Sequence, residues 1–315
     1  MTIAVNNPAD PLNIGWVSVG VSDMAAVEAL WVEQFGLEII DRRTGPDTDL
    51  ADLWGLVPTQ ISRQLLLGTP GAASGLLHFV EFSEPGGAVR EGAASTDLGP
   101  KNLDVNCTGM PLLAEDLLAS GYSFRSAIAE YEFDGIEVRE VQMPVHDAVN
   151  VVLIEVLSAG FEVNYTAKGF AGLTSFVVIV PDVQREVAFY QHLFGMQTIL
   201  SHALSGKAIE DAADLPAGTV LDLHLLGDPD NLFGRMELIE YTGINGANLF
   251  PRCTAPAAGI LNCGFKTNAI KEFQQQAVAA GFAVTEHPGN RLIFGSGELL
   301  SLSSPAGFRL YIQSA

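Results

Sequence analysis

The sequence predicts an α+β chain of four βαβββ modules, paired into two domains whose mixed sheets curl into cups. Two observations carry this expectation. The first is a repeat at constant offset: Asp23 and Asp182, Phe35-Gly36 and Phe194-Gly195, Gly68 and Gly227, and Glu81 and Glu240 all lie 159 positions apart. Segments as long as LLLGTPGAASGLLHFVEF and HLLGDPDNLFGRMELIEY align without a gap, so matched positions should occupy matched places in two copies of one fold. The second is the order of hydrophobic periods within each copy. A strand and a helix are followed by several strands, and then the pattern begins again.

The first copy opens with the strand WVSVGV, turns at Ser22-Asp23 and enters a helix. Asp is a good N-cap, Val27, Leu30, Trp31 and Phe35 recur at helical spacing, and Gly36 stops the helix. Strands are expected near 37–42, 62–67 and 76–82. The second copy repeats this with FVVIV, Pro181-Asp182, the apolar set Val187, Phe189, Tyr190 and Phe194, the stop at Gly195, and strands near 197–201, 219–226 and 235–241. New modules open with the strands NLDVNC and LNCGFK, at an offset of 160, and continue through helices at 112–118 and 269–280 to final strands ending at Val156 and Gln313. The expected domains are 10–157, with modules 10–98 and 99–157, and 172–315, with modules 172–257 and 258–315, joined by a linker at 158–171.

Composition bounds the function. The chain has 315 residues, 48% of them hydrophobic, enough for two ordinary cores. Sixteen Lys and Arg stand against 37 Asp and Glu, a formal charge of −21, which repels nucleic acid and anionic membrane surfaces. Cys107, Cys253 and Cys263 show no CxxC spacing and read as reduced thiols. No run of 18 apolar residues and no signal-like start is present, so the expectation is a soluble, cytoplasmic monomer or homodimer that acts on a small molecule.

Alternation places polar side chains on the face of each sheet away from its helix. Residues two apart share a face, so Trp16 and Ser18 lie opposite Val17 and Val19, and Asn102, Asp104 and Asn106 lie opposite Leu103 and Val105. A polar face becomes a ligand site where paired modules curl around it. With pairing inside each half, one cup would hold Trp16, Arg63, His78, Asn102, Asp104 and Asn106. The other would hold Ser175, His224, Glu237, Tyr241, Asn262, Lys266 and Tyr311.

The segment FVVIVPDVQREVAFYQHLFGMQTI, its weaker twin at 16–40, the strand GRMELIEY and the end SPAGFRLYIQ resemble the vicinal oxygen chelate superfamily, which includes glyoxalase I, extradiol dioxygenases and bleomycin-resistance proteins. The resemblance spans most of the chain, and its four modules look most like the extradiol dioxygenase layout. It implies metal ligands in the first and last strands of the modules, at positions falling on Trp16, His78, Asn102 and a residue near Leu153, and on Ser175, Glu237, Asn262 and Tyr311. Trp cannot ligate, and open catalytic sites use about three donors from His, Cys and carboxylates, so the expectation is no metal; were a cofactor bound, it would be a divalent ion such as iron or zinc.

What remains points to acid and base chemistry. Glu237, His224 and Tyr311 are the expected catalytic residues. Ser175, Tyr241, Asn262, Lys266, Trp16, His78, Asn102 and Asp104 are expected to bind substrate, and Trp16 is expected to fill the space of a metal. A carboxylate enclosed by apolar walls is raised in pKa and, with a neighbouring His or Tyr, can move protons at neutral pH. The leading expectation is a metal-independent isomerase or lyase. A ligand-sequestering resistance protein and an atypical extradiol dioxygenase remain as alternatives.

Overall fold

The computed structural model describes residues 11–133, 135–158 and 163–315. Module one contributes β1 (Ile14–Val21), β2 (Glu38–Thr44), β3 (Ile61–Gly68) and β4 (Leu76–Phe82). Module two contributes β5 (Gly99–Cys107), β6 (Ala129–Phe133), β7 (Ile136–Pro144) and β8 (Asn150–Val156). Module three holds β9 (Phe170–Ile179), β10 (Gln197–Ser205), β11 (Val220–Gly227) and β12 (Arg235–Thr242), and module four β13 (Gly259–Thr267), β14 (Thr285–Leu292), β15 (Gly295–Ser303) and β16 (Arg309–Ser314).

These strands form two eight-stranded mixed sheets, in the orders β14-β15-β16-β13-β1-β4-β3-β2 and β10-β11-β12-β9-β5-β8-β7-β6. Module one therefore joins module four, and module two joins module three, through the antiparallel pairs β1 with β13 and β5 with β9. This corrects the expected pairing within each half. All four opening strands are similar buried strands, so the repeat identifies copies but carries no information about which copy pairs with which.

The repeated residues have a local task. The first module helix, α1 (Met24–Val27) with its π-helical continuation Glu28–Gln34, is capped by Asp23, which accepts from the Ala25 N–H at 2.8 Å, while Glu81 accepts from the Met24 N–H at 3.0 Å. In module three, Asp182 accepts from the Arg185 N–H and Glu240 from the Val183 N–H, each at 3.0 Å, at the start of the helix Val183–Phe194. Two carboxylates thus satisfy otherwise unpaired N–H groups at each start and meet the positive end of the helix dipole. Gly36 (φ 76°) and Gly195 (φ 63°) close the same helices in the left-handed conformation that favours glycine.

The helix-covered faces of both sheets share one core, in which Trp31, Phe35, Phe170 and Phe194 are buried and Phe35 stacks on Phe170 at 4.3 Å. Glu186, on the module-three helix, crosses between the sheets to accept from the Ser304 hydroxyl and the Ala306 N–H. The concave faces are left for ligands. Among the described residues, no helix is long and apolar enough to cross a membrane.

Candidate functional site

The two cups have different contents. In the cup of modules one and four, Trp16 is fully buried, stacks on Phe294 at 4.0 Å and lies over Gly264, where an added Cβ would meet the indole at 2.0 Å. His78 is held between Ser18 Oγ and Gln64 Oε1, each at 3.1 Å, and burial pushes its pKa down to about 3. The imidazole therefore stays neutral. A polar cleft of about 350 Å³ remains at the rim, lined by Trp54, Asn262, Arg309 and Tyr311. Burial holds the Tyr311 phenol up at about 12, and the cleft contains no carboxylate to exchange protons with it. Lys266 is half-buried further along the strand of Asn262.

The cup of modules two and three is a cavity of about 240 Å³ with apolar walls from Val152, Val177, Leu221, Leu223 and Ile239. Lys101, Asp104, Glu140, Glu237, Tyr131, Tyr241, His202 and Arg235 supply its ionisable groups. Their positions follow from strand parity. Arg235, Glu237, Ile239 and Tyr241 are alternate residues of β12 facing the cavity, while Met236 and Leu238 face the core and Glu240 serves the helix cap. On β5, a register shift between Pro100 and Asn102 interrupts the alternation, so that Lys101 and Asn102 both line the cavity.

Burial sets the electrostatics of this cup. It raises Glu237 to about 8, with the charge of Glu140 adding to the rise and Lys101 opposing it. Asp104 is raised well above the usual carboxylate range, first by burial and then by Glu237. Glu140 is also raised by burial, although Tyr131 donates to it at 2.5 Å. Lys101 is brought down to about 7 by burial and by Arg90, and its amine meets the Tyr241 hydroxyl at 2.9 Å. Asp104 Oδ2 accepts from the Ser175 hydroxyl at 2.7 Å, while the buried Oδ1 has no hydrogen-bond partner. The Glu237 carboxyl takes no hydrogen bond from the described residues. Asn150 donates to Asn102 at 3.0 Å, closing a polar layer beside the acids.

The sequence expectations divide accordingly. Ser175, Glu237, Tyr241, Asn102 and Asp104 come together in one cup. Trp16, His78, Asn262 and Tyr311 belong to the other sheet, so Tyr311 cannot assist Glu237, and His78 and Asp104 share no cup. His224 faces neither cup: it lies on the helix-covered face, 3.2 Å from Gln184 and 3.1 Å from Asp222. Arg63 also turns away and pairs with Glu81 at 2.6 Å. Lys101, Glu140, Tyr131, His202 and Arg235 line the site and were not expected from the sequence. For Glu140 the signal was its shared parity with Val138 and Ile136, a carboxylate on an otherwise apolar strand face.

The fold family implies a divalent metal in such cups, and the donors do not fit one. The implied positions of this cup carry Asn102, Ser175 and Glu237, with the Lys101 amine among the carboxyl groups; those of the other carry Trp16, His78, Asn262 and Tyr311. Among the described residues, no group of three or more His, Cys, Asp or Glu converges to hold an ion.

No protein-family profile and no curated protein matches the sequence. Solved structures do. Glyoxalase I from Zea mays superposes with a TM-score of 0.64 at 13% identity, over 96% of this chain and 92% of that one. A Bacillus subtilis protein described as a putative dioxygenase superposes at 0.62 and 12%, over 98% and 86%. The cppA protein of Streptococcus pneumoniae reaches 0.50 at 11%, over 98% and 99%. Such identities speak for shared architecture alone. With two curled sheets of four modules and these neighbours, the chain has the vicinal oxygen chelate fold in its four-module form.

Proposed function

We propose that the cup of modules two and three is the active site of an isomerase or lyase that moves a proton on a small, largely apolar molecule carrying a carbonyl oxygen. The observation that supports this most is Glu237: a half-buried carboxyl that takes no hydrogen bond from the described residues, faces an apolar cavity and is poised near neutrality. As carboxylate it takes a proton from carbon. Lys101 and the protonated Asp104 carboxyl donate to the oxygen on which charge develops, in a medium where such donors act strongly. Ser175 orients Asp104, and Tyr241 orients Lys101.

Proton exchange in D2O tests this reading. Across a panel of small aldehydes, ketones and hydroxyketones, the protein is expected to exchange the hydrogen beside the carbonyl of at least one compound. Glu237→Gln should slow that exchange by a factor of about 10² to 10⁴. Exchange should also survive chelator; stoichiometric iron, manganese or zinc whose removal abolishes it would overturn the metal-free reading. The apolar walls favour a second reading, sequestration of a hydrophobic compound. Tight binding without exchange, unaffected by Glu237→Gln, would support that one instead.

A further inference from the structure

We propose that Lys101 is a nucleophile, and that this cup binds its aldehyde or ketone covalently as an imine on the Lys101 amine. The inference rests on the proton-transfer reading of the same cup with Glu237 as base, and puts the iminium nitrogen in place of the carbonyl oxygen as the group that takes up the developing charge.

The placement of Lys101 singles it out. The chain has five lysines, and Lys168, Lys207 and Lys271 are exposed, with Lys207 paired to Asp211 at 2.7 Å. Lys266 is half-buried on the other sheet. Lys101 alone stands on the wall of the apolar cavity, with 7% of its surface exposed. Its amine has no ion pair among the described residues, although three carboxyl groups share the cup. Among the described residues its one hydrogen bond is with the Tyr241 phenol, and a phenol can donate to the lone pair of a neutral amine as readily as it accepts from an ammonium. A buried ammonium without a carboxylate partner is costly, so the site favours the neutral, nucleophilic form; the lowered pKa agrees with this.

The neighbours complete the chemistry. The Lys101 lone pair forms a C–N bond to the carbonyl carbon as the C=O π pair moves onto oxygen, and one amine proton passes to that oxygen by way of the Asp104 carboxyl. Asp104 Oδ1, buried and without a partner, is free to relay it. Glu237, protonated near neutral pH, then gives its proton to the carbinolamine hydroxyl. The C–O bond breaks, water leaves, and the nitrogen lone pair closes the C=N bond. The products are an iminium ion and a Glu237 carboxylate, which is the base needed to take a proton from the adjacent carbon.

Reductive trapping tests the proposal. The intact protein is treated at pH 7.5 with benzaldehyde and sodium cyanoborohydride, and modified peptides are mapped by mass spectrometry. Lys101 should carry a single benzyl group, acquired at least ~10-fold faster than on exposed Lys271, because an unperturbed lysine is almost wholly protonated at that pH. Lys101→Arg, checked for native circular dichroism, should leave only the slow surface modification. Modification of Lys168, Lys207 and Lys271 with Lys101 untouched would overturn the imine. If Glu237-dependent exchange persisted in that case, the proton-transfer reading would stand without it; a trapped Lys101 adduct with no exchange on any carbonyl compound would sink that reading and keep the imine.

Discussion

His78 and Glu237 sit on matching strands of the two copies, and burial moves both toward the neutral form. For His78 the folded pKa of about 3 lies below the ordinary value of 6.5, so its contribution to stability is complete above pH 6.5 and is lost as pH falls toward 3. Replacing it by Gln should flatten the acid side of the stability curve by up to about 1.4 kcal/mol per pH unit between those values. Denaturant titrations at several pH values would show this, and an unchanged slope would mean His78 is protonated in the fold. Residue identity was legible where chemistry and parity agreed: Trp16 fills its cup, and Glu237 faces one. His224 failed because in LDLHLLG Leu221, Leu223 and Leu225 face the cavity, while Asp222 and His224 lie under the helix. On this strand the apolar wall of the cavity inverts the rule that polar residues mark the site.

At the scale of elements, helix ends were the most legible features, since an N-cap depends on a few adjacent residues and on the end of one neighbouring strand. The repeat pairs Asp23/Asp182 and Glu81/Glu240 are these caps. Asp182→Ala should lower stability by about 1 kcal/mol, read as a shift of the urea midpoint with unchanged slope. Glu240→Gln, which keeps a weaker acceptor, should lower it less. Equal and negligible effects would mean that the caps are satisfied by solvent. Lys101 was not legible because a shift of register on β5 is a property of its pairing with β9, which alternation in one strand cannot reveal.

At the scale of the molecule, module count and order were legible from the offset, and module pairing was not, because four similar opening strands compete for the same kind of partner. The pairing makes a prediction. Each sheet takes half its strands from either side of the segment between β8 and β9, so separately produced halves, cut between 158 and 163, should associate one to one and recover the native circular dichroism only when mixed. Two halves that each fold as stable monomers would contradict the topology. The same pairing is what unites Glu237 of module three with Lys101 and Asp104 of module two.

The poised state of Glu237 is the claim on which the functional account stands, and it can be observed directly. Carbon-13 NMR of the glutamate side-chain carboxyls, assigned with Glu237→Gln, should show Glu237 titrating at about 8. A Glu237 signal titrating near the ordinary glutamate value of about 4.3 would mean a solvated, unperturbed carboxylate, and the cup would not be a site of proton transfer.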